Sequence, residues 1–204
     1  MSSKYFFQNP GLEVFDSVYP PSEDSELLAE SLRVPADASV LDLGCGSGIQ
    51  GIQCAKLGAS SVTFADLNPL ALRNARQNCK KNAVKCQKKF MQSDLFSNIR
   101  EKFDVVIFNP PYVPSDAKKF LDTDGGKKGR EVLDRFLVRV GDFLLPDGSF
   151  FFLQTSLNGE NATQKLLKHL GFEFRIAGRK KLFFEELIVF KAWKKKHRVV
   201  KEKE

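Results

Sequence analysis

The chain has 204 residues, 42% of them apolar, and a formal net charge of +7. That size suits one domain with its own core, and the apolar share excludes a disordered chain. No apolar run reaches the length of a membrane span, and the start, MSSKYFFQNPG, lacks the apolar region and small-residue cleavage site of a secretory signal.

Residues 39–45, SVLDLGC, read as a strand entering a glycine-rich turn, with a helix over roughly 49–57. SVTFADL (61–67) is a second strand. Residues 68–82 suit a helix with Asn68 as cap and Pro69 in its first turn. A weaker strand lies within 84–94, and FDVVIFN (103–109) is the fourth. Residues 130–145 have helical spacing at Val132, Leu133, Phe136, Leu137 and Val140. Pro146-Asp147-Gly148 turns the chain into a fifth strand, 149–156. NATQKLLKHLG is a helix closed by Gly171. The last strands, 172–180 and 185–193, are close enough to form a hairpin, which makes one of them antiparallel. The fold class is therefore α/β, a mostly parallel sheet with helices on both faces. Residues 1–193 are expected to form one domain and 194–204 a basic tail. Residues 113–129 show no helix or strand period, carry four lysines and three glycines, and are expected to form a mobile lid over the substrate.

Charge and cysteine narrow the function. Residues 191–204 hold seven Lys or Arg against two Glu, so +5 of the +7 lies there and the body is nearly neutral. That argues against a nucleic-acid binder. A cytoplasmic location is expected, with the basic tail leaving a nuclear pool open. Cys45, Cys54, Cys79 and Cys86 form no Cys-x-x-Cys pair, and His169 and His197 have no neighbouring ligand. No metal site is expected.

Gly44, Gly46 and Gly48 follow a buried strand and lead into a helix, where bare backbone can approach a ligand. Their spacing is not the Gly-x-Gly-x-x-Gly of nicotinamide binders. Asp42 sits within the strand, Asp66 ends the second strand and Asp94 the third. Three carboxylates at successive strand ends suit S-adenosylmethionine: a positive amino-acid end, a ribose diol and an adenine amine, with no pyrophosphate to cradle. Asn109-Pro110-Pro111-Tyr112 stops the fourth strand. Two prolines fix two φ angles, and Pro110 keeps Asn109 out of the helical region. An amide is thus held rigidly at a buried strand end, with an aromatic ring three residues on.

With these residues in place, the chain resembles the class I S-adenosylmethionine-dependent methyltransferases, in which Asn-Pro-Pro-Tyr serves methylation of planar nitrogens. Residues 18–32 (VYPPSEDSELLAESL) and 125–136 (GGKKGREVLDRF) are similar to the HemK-like glutamine methyltransferases, in particular their short eukaryotic and archaeal branch. The resemblance implies a seven-stranded Rossmann-like sheet of order 3-2-1-4-5-7-6 with the seventh strand antiparallel. It implies Ser25, Asp42, Gly44, Cys45, Gly46, Gly48, Asp66, Leu67, Asp94, Leu95 and Asn109 around the cofactor. Asn109, Pro110, Pro111 and Tyr112 would take the substrate, the Asn109 carbonyl and the Pro110 backbone carbonyl receiving the two hydrogens of an NH₂. The substrate it implies is the Gly-Gly-Gln glutamine of a translation termination factor, and the partner a small zinc-binding activator. Two departures stand out: Asp42 where relatives often carry Glu, and LDTDGG where they often carry a tryptophan. A DNA or RNA adenine, a protein lysine, or a non-catalytic cofactor-binding module are the alternatives. The third strand should lie at a sheet edge, where the activator would cover Val84, Phe90 and Met91, unless Lys85, Lys88 and Lys89 merely guard it.

Overall fold

The computed structural model describes residues 3–5, 11–114, 123–126 and 128–195. Most of the expected lid, 113–129, and nearly all of the expected tail, 194–204, lie outside the described residues.

A two-stranded hairpin, β1 (Ser3–Tyr5) and β2 (Leu12–Val14), precedes helix α1 (Glu23–Ser31). Strand and helix then alternate through β3 (Ser39–Leu43), α2 (Ile49–Lys56), β4 (Ser61–Asp66), α3 (Pro69–Lys81) and β5 (Gln87–Gln92). β6 (Phe103–Phe108), α4 (Glu131–Val140), β7 (Leu144–Thr155), α5 (Glu160–His169), β8 (Phe172–Lys181) and β9 (Glu186–Lys194) follow. The large sheet has the order β5-β4-β3-β6-β7-β9-β8, and β9 is antiparallel to both neighbours. Numbered within that sheet, this is the expected 3-2-1-4-5-7-6.

Alternation along the strands divides the core in two. Val40, Val62, Val105 and Ile107 face α1, α2 and α3. Leu41, Leu43, Val106 and Phe108 face α4, whose Leu133, Phe136, Leu137 and Val140 carry the predicted spacing. Phenylalanine fills the second layer: Phe152 stacks on Phe190 at 5.0 Å, and Phe136 meets Phe108 at 4.9 Å. α3 begins as its sequence dictates, with Asn68 Oδ1 accepting the Leu70 N–H at 2.9 Å and Pro69 next. Asn74 and Asn78 on α3 are buried because they clasp β2: each donates to the Glu13 carbonyl, and they accept from the Phe15 and Glu13 amides respectively.

β7 starts five residues earlier than its sequence suggests. Leu144 pairs with Phe103, and pairing resumes at Ser149 with Val105, so Leu145–Gly148 bulge outward. Pro146 has no N–H for the ladder, which explains both the bulge and the turn-like sequence. At the other side of the sheet, β5 is an edge, paired among the described residues to β4 alone. Its Phe90 is half-buried, stacked on Phe64 at 5.0 Å under the Arg76 guanidinium.

Candidate active site

A cavity of about 410 Å³ opens at the carboxyl ends of β3, β4 and β6, where ligands of open α/β sheets sit. The turn after β3 forms one wall. Gly44, Gly46 and Gly48 have φ of +61°, +50° and +84°, a region that penalises any side chain. Asp66 holds this turn from β4: its Oδ2 accepts the Gly46 N–H at 2.9 Å and its Oδ1 the Asn68 N–H at 2.8 Å. Asp66 also lines the cavity, so the carboxylate that holds the turn faces the ligand as well.

Asp42 is placed differently. Its Oδ2 accepts the Gly51 N–H at 2.9 Å in the first turn of α2, and it is not among the lining residues; nor is Gly48. Gly51 presses so closely on Phe64 that a Cβ would collide. Burial pushes the Asp42 carboxyl well up, the Gly51 bond opposes this, and the Asp66 charge adds to it. Asp42 thus anchors α2 beneath the glycine turn. Burial likewise pushes up the thiol of Cys45, which does line the cavity.

The far wall is the turn after β5. Leu95 holds φ +47°, strained for a bulky residue. Ser93 Oγ fixes it by donating to the Leu95 carbonyl at 2.7 Å. Asp94 is half-exposed at the rim and receives Arg135 Nη2 at 3.0 Å. Leu67, after Asp66, lies exposed on the same wall.

The substrate end is organised by a residue the sequence reading did not single out. Asp24, in the first turn of α1, is 2% exposed. Its Oδ2 accepts from Asn109 Nδ2 at 3.0 Å, Tyr112 Oη at 3.1 Å and Tyr19 Oη at 3.2 Å. Its Oδ1 accepts from the Ser25 amide and hydroxyl. A carboxylate only accepts, so Asn109 must turn its NH₂ toward Asp24 and its carbonyl oxygen away. That oxygen, Asn109 Oδ1, is buried and has no partner among the described residues. Burial pushes the Tyr112 phenol far up, with the Asp24 charge adding to it, so it remains a donor. The backbone is clamped too. Asn158 Nδ2 donates to the Tyr112 carbonyl at 2.9 Å and the Gly129 carbonyl at 3.2 Å, and a side chain at Gly129 would strike the Tyr112 carbonyl. Gln50, also unforeseen, lines the cavity; its Nε2 donates to the Ser25 carbonyl and its Oε1 is buried without a partner among the described residues.

The cavity therefore joins Ser25, Gly44, Cys45, Gly46, Asp66, Leu67, Asp94 and Leu95 to the Asn109-Pro110-Pro111-Tyr112 end, leaving Asp42 and Gly48 behind the wall. The sequence profile of the methyltransferase small domain matches residues 17–183. The chain is a member of this methyltransferase family.

A relative in Methanocaldococcus jannaschii named "Putative protein N5-glutamine methyltransferase MJ0928" is 43% identical over 90% of this methyltransferase and 95% of its own length. Human "Methyltransferase HEMK2" is 30% identical over 91% of this chain and 94% of its own. Among solved structures, the E. cuniculi Mtq2–Trm112 complex, described as responsible for methylation of the eRF1 translation termination factor, matches with TM-score 0.71 and 30% identity. That match covers 88% of this methyltransferase and 99% of the other chain.

The lining residues of this methyltransferase fit S-adenosylmethionine. Gln50 Oε1 is a buried acceptor without a donor, suited to an ammonium, and the Asp66 carboxylate suits a diol. The size lies within the roughly 300–1,000 Å³ usual for ligand pockets.

Proposed function

We propose that the chain is a protein-glutamine N-methyltransferase that uses S-adenosylmethionine and acts on the Gly-Gly-Gln loop of a translation termination factor. The observation that carries this is Asn109. Its NH₂ is held by Asp24, its carbonyl oxygen is buried without a donor, and two prolines stiffen the backbone after it. A buried acceptor left unpaired costs about 1–3 kcal/mol, which a substrate N–H would recover.

A glutamine amide brings two N–H groups in one plane. Asn109 Oδ1 receives one and the Pro110 backbone carbonyl the other, which fixes the plane of the nitrogen before reaction. The bound cofactor supplies a methyl group activated by a sulfonium. The two acceptors stabilise positive charge as it develops on nitrogen. A protonated N-methyl amide is a strong acid and gives its proton to water, so no general base is required. A lysine ammonium would have to lose a proton first, and Asp24 is already engaged by five donors. Gln50, Ser25 and Asp66 hold the cofactor, with Asp94 and Leu95 at its adenine end. The relatives named for N5-glutamine and eRF1 methylation support the same substrate, which would place the enzyme in the cytosol.

By analogy with the solved two-protein complex, a small activator protein is proposed to complete the enzyme; we take it to bind zinc, as the family resemblance implies, and to sit at the open edge of β5. Because Phe90 is stacked on Phe64, the partner would meet mainly β5 backbone rather than bare apolar side chains.

The deciding assay is transfer of labelled methyl to a termination factor, to its loop Gln→Ala variant, and to DNA. Label on the intact factor alone is expected. Equal labelling of the Gln→Ala variant, or labelling of DNA, overturns the assignment.

A further inference from the structure

Phe183 and Phe184 lie at the turn between β8 and β9, 92% and 87% exposed, with their rings edge-to-face at 4.6 Å. The Leu182 N–H donates to the Glu185 carbonyl at 2.8 Å, so the pair fills the two central positions of a tight turn. Those positions ordinarily take Gly, Asn, Asp or Pro. Leaving both rings in water forgoes the gain that burying apolar surface ordinarily brings. Two local rules are thus broken at one spot, as happens where a surface has a task.

The tip belongs to the active-site edge. β8 runs in the same direction as β6, so its end emerges beside Asn109. β7 and β9 lie between them, so β8 is three strand spacings from β6, roughly 14 Å. Three links join the tip to the groups that hold Asn109. Lys180 pairs with Glu23, next to Asp24, at 3.2 Å. The Glu186 N–H donates to Ser156 Oγ, two residues before the Asn158 that clamps Tyr112. The Glu185 charge reaches the Tyr112 phenol. Leu157 and Val113 are exposed on the same rim. Arg179 is matched by Glu160 and Glu186, and Lys180 by Glu23, while Lys181 and Glu185 flank the turn. The two exposed rings make the contact face of the tip chiefly apolar.

We propose that Phe183 and Phe184 anchor the protein substrate, entering an apolar cleft on its folded body while its glutamine reaches Asn109. This rests on the protein-glutamine reading. The activator proposed for the β5 edge would sit at the opposite end of the sheet from this tip.

The test uses the full chain, co-expressed with its activator, and the double variant Phe183→Ser/Phe184→Ser. Steady-state transfer is measured to an intact termination factor and to a short Gly-Gly-Gln peptide, which has no folded cleft. The variant should raise KM for the intact factor about tenfold or more, the scale of an interface hot spot. Its kcat, its peptide turnover, its cofactor affinity and its melting temperature should stay within experimental error of wild type. An unchanged KM for the intact factor overturns the proposal, and so does an equal loss on factor and peptide. Loss of the activator or a change of oligomeric state at unchanged KM assigns the tip to that occupant instead. If the wild-type chain labels neither factor nor peptide, the glutamine reading fails and takes this one with it. Labelling of both at unchanged KM sinks the anchor alone.

Discussion

Replacing Asp24 with Asn removes one negative charge and little volume, yet it should cripple transfer. Five donors converge on this carboxylate, three on Oδ2 and two on Oδ1. An amide has one accepting end, so neither orientation serves both sets. With its NH₂ toward the Oδ2 cluster, the two tyrosine hydroxyls can rotate and accept. Asn109 can only answer by flipping, which turns its NH₂ into the substrate site where its carbonyl stood. With its NH₂ toward Ser25, the Ser25 amide N–H loses its acceptor at a helix start. A buried N–H left without an acceptor costs about 1–3 kcal/mol, so the first arrangement is favoured. It costs the acceptor that positions the substrate nitrogen. Loss of one such positioned group lowers kcat by about 10²–10³-fold, or ~2.7–4 kcal/mol. Single-turnover transfer from labelled cofactor to the termination factor measures this, with calorimetry confirming that cofactor affinity changes by only a few-fold. A turnover within threefold of wild type at saturating substrates would refute the role given to Asp24 and the orientation given to Asn109.

Asn109→Ala should retain cofactor binding and lose on the order of 10²-fold or more in transfer; unchanged turnover removes Asn109 from the substrate site. Asp66→Ala should weaken cofactor binding by about 1.5–3 kcal/mol for each hydroxyl bond lost, and should also loosen Gly46 and Asn68, which it holds; wild-type affinity by calorimetry removes it from the ribose end. Asp42→Asn tests a pH dependence. Burial raises the folded-state pKa of Asp42 above its ordinary 3.8. The stability linked to a raised pKa is fully present below the unfolded value and is lost as pH rises through the folded one. Asn accepts from Gly51 without ionising, so the melting temperature of the variant should gain on wild type between pH 4 and pH 7; a difference that shrinks as pH rises would mean the ionised form is the stabilised one.

The sheet was legible because its strands are short β-branched and aromatic runs with turn residues between them, and because Asn68-Pro69 and Gly171 mark helix ends in the expected ways. Leu144 was not assigned to β7, since Pro146-Asp147-Gly148 reads as a stop and only the register with Phe103 reveals a bulge. The cofactor wall was largely legible: acids at strand ends and glycines after a strand share a chemical reason. Asp42 shows the limit, because a carboxylate before a glycine turn has the same sequence whether it faces the ligand or the helix behind it. Asp24 could not be told from Glu23, since both are acids in a first turn. One is buried under Tyr19 and Asn109, and the other reaches Lys180 at the surface. Gln50 was hidden because a polar residue in a first turn ordinarily faces water.

The place of β9 between β7 and β8 also bears on how the chain is made. Synthesis proceeds from the N-terminus at about 5–20 residues per second. β8 leaves the ribosome before the strand that joins it to the sheet, since among the described residues its ladder is to β9 alone. Until residues 186–194 emerge, β7 keeps an open edge and the Phe-rich face of the sheet lacks Phe190. The Phe183–Phe184 turn and the ties it makes to Glu23 and Ser156 come together only when that last strand slides into place. A nascent chain can therefore assemble its cofactor wall early, from β3, β4 and β5, while the rim that receives substrate is finished last.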